Sequence, residues 1–242
     1  MRIRSSARTG RGQPSVRKRI VLIALLGVAV PSVALATSKF KATFALSYLS
    51  LHTGVSSGLT TFMTWSDPAA PGGVPKVIKQ ITLRFPGGTL FDTSALPTCS
   101  ASDTAIKRIG ASACPAASKL GAGTTVGAAR GGVRFNTLVA LFNAPGKIIV
   151  LVTLNGAPIT EFRDTVQRSA IIVHPVLPPG VSLERLFLRV GPHSSGHGHA
   201  RKAYMRTPSS CPKSGRWKII STFRYADSSS ETLTSTTPCR PN

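Results

Sequence analysis

The fold of this protein is decided by residues 133–166, which read VRFNTLVALFNAPGKIIVLVTLNGAPITEFRDTV. Three runs rich in β-branched and aromatic residues have the length of strands, and they occupy 133–142, 147–154 and 159–166. Asn-Ala-Pro-Gly separates the first two runs, and the second ends at Asn155-Gly156, a dipeptide typical of tight hairpin turns. The stretch therefore predicts consecutive antiparallel strands joined by short turns.

Strand patterns continue on both sides of this stretch. Phe40, Ala42, Phe44, Leu46 and Tyr48 occupy alternate positions, which is the period of a half-buried strand. Further candidate strands lie at 60–65, 76–85, 170–174, 182–190, 217–225 and 231–237. Because turn residues recur about every ten positions and helix signals are scarce, we predict an all-β fold. Its architecture is an antiparallel β-sandwich or open barrel with one short helix and a C-terminal hairpin.

The pattern divides the chain into four parts. Residues 1–36 are a candidate signal peptide, and residues 37–190 form a β-sandwich-like domain. A Gly/Ser/His loop follows at 191–202. Residues 203–242 form a hairpin bracketed by cysteines, which we expect to pack on the same domain.

The N-terminal segment has the order of a secretory signal. Basic residues and no acid precede an apolar run at 20–30, and Ala34-Leu35-Ala36 supplies the small-x-small pattern that signal peptidases accept. The apolar segment to Ala36 is 17 residues long, at the short edge of the ~20 needed to cross a bilayer. We therefore predict export with cleavage after Ala36, the alternative being a retained membrane anchor. The mature protein is then secreted or associated with the cell envelope.

The chain is strongly basic, with 30 Lys and Arg against 8 Asp and Glu and a net charge of +22. Residues 1–36 hold seven of the basic residues and no acid, which leaves +15 on residues 37–242. Such a surface attracts polyanions. Outside the cytoplasm we expect an anionic cell-wall polymer, a lipid surface or an unknown protein partner rather than nucleic acid.

One C-terminal segment concentrates basic residues without an intervening acid. Its candidate polyanion-binding residues are Arg201, Lys202, Arg206, Lys213, Arg216 and Lys218. Trp217 and Phe223 are interleaved with them, but they are six positions apart on one side of a predicted strand. We therefore expect these two aromatic side chains to face the core.

Residues 99–114 are the single helix candidate. Ser100 is the expected N-cap, Asp103 follows at the third position, and Gly110 ends the helix. A helix of about ten residues is marginal in isolation, so it needs an external clamp.

Four cysteines lie after residue 36: Cys99, Cys114, Cys211 and Cys239. An even number in an exported chain predicts disulfides, and four cysteines allow three connectivities. No Cys-x-x-Cys pair occurs, which argues against a zinc ribbon or a thioredoxin-type site.

Two segments carry paired Cys-Pro motifs. The first contains Leu-Pro-Thr-Cys99 and Cys114-Pro-Ala-Ala-Ser-Lys-Leu-Gly, and the second runs from Cys211-Pro-Lys-Ser-Gly-Arg-Trp through Phe-Arg-Tyr-Ala-Asp to Pro-Cys239. These segments resemble uncharacterised exported proteins of high-GC Gram-positive bacteria, over roughly a third of the chain after residue 36. The resemblance implies no reaction and no catalytic residue. It implies local pairing of Cys99 with Cys114 and of Cys211 with Cys239, so that a disulfide clamps the short helix.

Two further segments have the spacing of chemically active sites. His193, His197 and His199 form a candidate site for zinc, copper or nickel, but no carboxylate or free thiol lies nearby, and ordering a Gly/Ser-rich loop is costly. The alternative there is a solvated loop.

The segment 54–58, Gly-Val-Ser-Ser-Gly, has the spacing of a nucleophile elbow, but a strand candidate and no helix follows it, which favours a plain loop.

These observations favour an exported, non-enzymatic β-protein of the cell envelope that binds an anionic wall polymer or a partner protein, with no cofactor. The first alternative is a secreted hydrolase, which requires a serine or carboxylate within about 3 Å of a histidine ring. The second is a weak metal binder that uses the histidine loop. Neither the ligand nor the oligomeric state follows from the sequence.

Overall fold

The computed structural model describes residues 39–196 and 202–242. Eleven strands form one antiparallel sheet, and four two-residue strands form two small pairs. The strands of the large sheet are β1 Lys41–Tyr48, β2 Leu59–Ser66, β3 Ile78–Arg84, β5 Lys119–Ala129, β6 Arg134–Ala144, β7 Lys147–Leu154, β8 Ala157–Gln167, β9 Ala170–Val173, β10 Val181–Val190, β14 Arg216–Tyr225 and β15 Ser230–Pro238. The short strands are β4 Leu90–Phe91, β11 Ser194–Ser195, β12 Lys202–Ala203 and β13 Met205–Arg206, and the α-helix is α1 Asp103–Ile109.

The large sheet curls into a nearly closed barrel. Its strand order is β1-β2-β10-β5-β6-β7-β8-β9-β3-β14-β15. The two edge strands meet through one side chain, because the Ser235 hydroxyl accepts from the Leu46 N–H and donates to the Leu46 carbonyl, both at 2.9 Å. The all-β prediction is confirmed, and of its two architectures the chain adopts the open barrel.

The two turns predicted within 133–166 are confirmed. Gly146 has a φ of 65° in the turn between β6 and β7. Asn155 and Gly156, with φ of 50° and 83°, join β7 to β8. Positive φ at both central positions gives the turn a twist that suits antiparallel strands. In β10 the register shifts between Leu183 and Arg185, and this bulge is the reason that the apolar alternation is interrupted there.

Strand β5 lies in the middle of the sheet but outside the predicted strands. Its sequence is rich in glycine, which disfavours strand predictions. The glycines are required by the close approach of β10: a Cβ at Gly121 would lie 2.1 Å from the Arg189 carbonyl oxygen, and one at Gly123 would lie 1.9 Å from that of Phe187. The glycines that the packing of β5 against β10 requires are therefore the same residues that hide this strand from sequence patterns.

Aromatic side chains fill the part of the barrel interior beside β1 and β14. Trp217 and Phe223 are 1% and 0% exposed, which confirms that they face the core. Trp65 packs edge-on against Phe223 with ring centroids 5.5 Å apart, and Tyr48 does the same against Trp217 at 5.2 Å. Such contacts add specificity to the burial of these large rings.

Helix α1 covers the outer face of β6 and β7, where it buries Ile106 against a cluster that includes Ile149 and Leu151. The predicted cap is wrong: the Ser102 hydroxyl, rather than that of Ser100, accepts from the backbone N–H of Ala105 at 3.2 Å. Residues 99–101 are still held on the sheet, because the Cys99 N–H donates to the Asn143 carbonyl at 2.7 Å. The helix starts only after this attachment.

The two disulfides join Cys99 to Cys114 and Cys211 to Cys239. The first clamps α1 and the short turns that follow it, and the second joins the two ends of the β14–β15 hairpin. That hairpin belongs to the barrel, since β14 also pairs with β3. Disulfides are typical of proteins from oxidising compartments. Within residues 39–196 and 202–242, no helix has the length and hydropathy needed to cross a membrane.

Candidate functional site

A cavity of about 150 Å³ lies inside the barrel between β2, β3 and strands β5 to β10. Its wall is almost entirely apolar, and representative lining residues are Met63, Leu83, Val139, Val150, Phe162 and Leu186. The aromatic cluster beside β1 and β14 does not line it. The barrel interior is therefore packed on one side and hollow on the other.

The threonine hydroxyls in the wall hydrogen-bond within the protein. The Thr125 and Thr137 hydroxyls bond to each other across β5 and β6, and the Thr160 hydroxyl donates to the Val176 carbonyl at 2.9 Å. A hydroxyl that is already satisfied gives a wall little affinity for further polar groups. The threonines therefore leave the chemistry of the cavity to its apolar residues, to Ser182 and to one acid.

That acid is Asp164, the single ionisable side chain in the lining. The alternation of β8 places Phe162 and Asp164 toward the cavity and Glu161 and Arg163 toward α1 on the outside. Glu161 pairs with Lys107 at 3.2 Å, and Arg163 pairs with the carboxylate of Asp103. The outer acid thus has a cation beside it, whereas the inner acid faces hydrocarbon.

The environment of Asp164 favours its neutral form. The residue is 3% exposed, and its Oδ1 accepts from the backbone N–H of His174 at 3.3 Å. Burial raises the pKa of the Asp164 carboxyl to about 7, although the His174 hydrogen bond opposes the shift. Near neutral pH both protonation states of this carboxyl are populated.

A proline-rich segment, residues 174–180, borders one end of the cavity. Leu177 and Pro178 contribute to the wall there, together with Val181 at the start of β10 and Ile159 of β8. Ile159 is 37% exposed, so the wall reaches the protein surface at this end. Proline fixes φ, and the segment carries three prolines, which makes it a stiff border.

The basic residues predicted to bind polyanions do not form one row in the structure. Lys202 lies on β12, Arg206 on β13 and Lys213 in the following turn, while Arg201 lies outside the described residues. Arg216 and Lys218 share the outer face of β14. The Arg216 guanidinium donates to the hydroxyl and carbonyl of Thr236 at 3.1 and 3.3 Å, so part of its function is to hold the hairpin.

A second basic surface, which the sequence prediction did not include, lies on the outer face of β2 and β10. Phe187 pairs with Phe62 in the neighbouring strand, and each is 40% exposed. Arg185 and Arg189 flank Phe187 on the same face, and both are exposed. We call these four residues the aromatic-basic row. Leu138, 60% exposed, continues the row on β6.

The structure describes one of the three loop histidines. The His193 ring Nε2 lies 2.6 Å from the Leu120 carbonyl oxygen, so this nitrogen is the donor. His197 and His199 lie outside the described residues. Within the described part of the chain, no group of three histidine, cysteine or acidic side chains is arranged to hold a metal.

The sequence prediction missed the cavity and Asp164. The predicted strand at 159–166 contained the necessary signal, because its alternation places Asp164 on the same face as Phe162 and Val166. A carboxylate on the buried face of a strand is unusual, and it stands out in a chain with 8 acids.

Comparisons with known proteins add no assignment. No protein-family model matches the chain, and no curated protein sequence matches it. The functional argument therefore rests on the geometry of the cavity and of the outer surface.

Proposed function

We propose that this chain is an exported, non-enzymatic binding protein that holds a small apolar molecule inside its barrel. The observation that carries the proposal is the 150 Å³ cavity with its apolar wall. An apolar cavity of about this volume, engineered in another protein, stays dry and binds benzene.

The energetic cost of the cavity supports a ligand. Unfilled volume in an enclosed protein core costs roughly 24 cal/mol per Å³, so for a cavity of 150 Å³ that reaches the surface beside Ile159 the forgone packing is at most about 3–4 kcal/mol. A domain has only about 5–15 kcal/mol of net stability. A ligand that fills a hollow of this size in an otherwise packed barrel restores the packing that the empty cavity lacks.

Contacts of the histidines and acids favour binding over hydrolysis. The His193 ring contacts a backbone carbonyl, and Asp164 is contacted by the backbone of His174 rather than by its ring. A hydrolytic site requires an acid or a serine bonded to an imidazole. Export is supported by the signal-like pattern of residues 1–36 and by the two disulfides.

The test measures ligand-induced stabilisation with cyclohexane and benzene as probes. A molecule that binds only the folded state raises Tm, and the stabilisation grows with the logarithm of its concentration relative to Kd. Both probes should raise Tm of the wild type and of Val133→Phe, a control at a position that is 63% exposed. Val150→Phe fills the cavity and should remove the shift in Tm. If that variant does not fold, Val150→Leu, which fills less of the cavity, should reduce the shift. A wild-type Tm that neither probe changes would refute the proposal.

A second proposal concerns the outer surface: the aromatic-basic row docks on an anionic lipid surface of the cell envelope. Arginine pairs with phosphate groups, and exposed phenylalanine favours the apolar boundary below them. The charge of +15 on residues 37–242 supplies long-range attraction. Binding to a cell-wall polymer without binding to vesicles would assign the surface to the polymer instead.

A further inference from the structure

Asp164 is the most buried carboxyl of the described chain, and it has no cation beside it. The four ion pairs of the described residues use the carboxylates of Asp103, Glu161, Glu184 and Asp227. The single hydrogen bond of Asp164 comes from a backbone N–H, although a carboxylate can accept about four. Its remaining capacity faces the cavity.

From this arrangement we infer that the cavity ligand is an apolar primary amine whose ammonium group pairs with Asp164. The inference deepens the proposed binding function and rests on it. An ammonium group supplies the donors and the positive charge that the carboxylate lacks, and a small alkyl or ring body fills the apolar volume. The ligand class is therefore a short alkylamine or cycloalkylamine.

The electrostatics of the surroundings direct the choice of an amine. An isolated buried carboxylate is costly, and an opposite charge at hydrogen-bond distance offsets that cost. No lysine, arginine or histidine side chain from β2, β3 or β5 to β10 lines the cavity. His174 is exposed and contributes its backbone, and Arg163 is turned outward to Asp103. A cation that pairs with Asp164 inside the cavity is therefore supplied by the ligand.

A neutral alcohol of the same shape fits the cavity volume but leaves the carboxylate charge uncompensated. The wall hydroxyls of Thr125, Thr137 and Thr160 are engaged within the protein. Ser182 and Asp164 are the remaining polar side chains of the lining. Alcohol binding should therefore favour the neutral carboxyl, whereas amine binding requires the ionised one. The affinity of the amine should therefore rise with pH, and that of the alcohol should not.

The experiment titrates the wild-type protein with n-hexylamine, n-hexanol and cyclohexane from pH 5 to pH 9. The alkylammonium stays protonated over this range, and the Asp164 pKa is about 7. The affinity for hexylamine should therefore rise about tenfold per pH unit up to pH 7 and then level off. The affinity for hexanol should stay flat or fall, and that for cyclohexane should stay flat. Equal, pH-independent affinities for the amine and the alcohol would overturn the inference and leave the proposed function standing, while failure of all three probes to bind would refute both.

Variants assign the effect to one carboxyl. Asp164→Asn keeps the shape and removes the charge, so at pH 8 it should weaken hexylamine at least tenfold more than it weakens cyclohexane. The matched control is Glu161→Gln on the outer face of the same strand, which should keep the wild-type pH profile. An unchanged hexylamine profile in Asp164→Asn would overturn the assignment to Asp164. The wild-type profile alone decides the ligand class if that variant does not fold.

Discussion

Replacing Asp164 with asparagine should remove the loss of stability that this carboxyl causes in the unliganded protein as the pH rises from 4 to 7. A folded-state pKa of about 7, against 3.8 for an exposed aspartate, means that folding takes up a proton between these values. The contribution of this residue to stability is therefore fully present below pH 4 and is lost as the pH rises to 7. The loss amounts to about 4 kcal/mol, at 1.36 kcal/mol per pKa unit.

The variant keeps an acceptor for the His174 N–H but buries an amide group without a partner, which costs about 1–3 kcal/mol. Asp164→Asn should accordingly be less stable than the wild type at pH 4 and more stable by about 1–3 kcal/mol at pH 8. The two stability curves should cross between these values.

Urea unfolding of both proteins from pH 4 to pH 9 measures the crossing. Asp227→Asn is the control, because hydrogen bonds from Lys76 and Ser229 lower the pKa of the exposed Asp227 carboxyl. Between pH 5 and pH 9 this carboxyl is ionised in both the folded and the unfolded state, so the stability difference between this variant and the wild type should stay constant over that range. A stability difference between Asp164→Asn and the wild type that stays constant across the pH range would refute the burial argument.

Three further outcomes are expected. Binding to vesicles that contain anionic lipid should fall steeply between 0.1 and 1 M salt, because the Debye length shrinks from about 10 to about 3 Å. The double variant Arg185→Ser, Arg189→Ser should bind these vesicles more weakly at low salt. Retention of vesicle binding in 1 M salt would argue against charge-driven docking. Reducing the two disulfides should cost roughly 3–4 kcal/mol each, from loops of 15 and 28 residues, which calorimetry with and without reductant measures; an unchanged Tm would contradict this. N-terminal sequencing of the exported protein should begin at Thr37, whereas an intact 20–36 segment in the membrane fraction would identify an anchor.

Local patterns were sufficient to predict most strands and turns. The Asn155-Gly156 turn and the alternation of residues 40–48 each depend on a few neighbouring residues, so the sequence displays them directly. Local information did not predict β5, since Gly121 and Gly123 are selected by the backbone of β10, more than 60 residues away. The Ser102 cap likewise depends on where Cys99 attaches to β6.

The candidate site was harder to predict for the same reason. The cavity exists because β10 inserts between β2 and β5, and β3 between β9 and β14, and no short-range pattern specifies that order. Once the order is known, the inward position of Asp164 follows from the alternation of β8. The strand pattern could therefore identify the buried acid, but only the assembled barrel shows that apolar space and no cation lies in front of it.

The central claim is that the barrel interior receives a small apolar molecule, and xenon tests it most directly. Crystals of the wild type under xenon pressure should show an ordered anomalous peak inside the barrel, bordered by Val139, Val150 and Leu186. Crystals of Val150→Phe should lack that peak while keeping the barrel unchanged. A wild-type barrel without interior xenon, or with xenon only in surface grooves, would contradict the account.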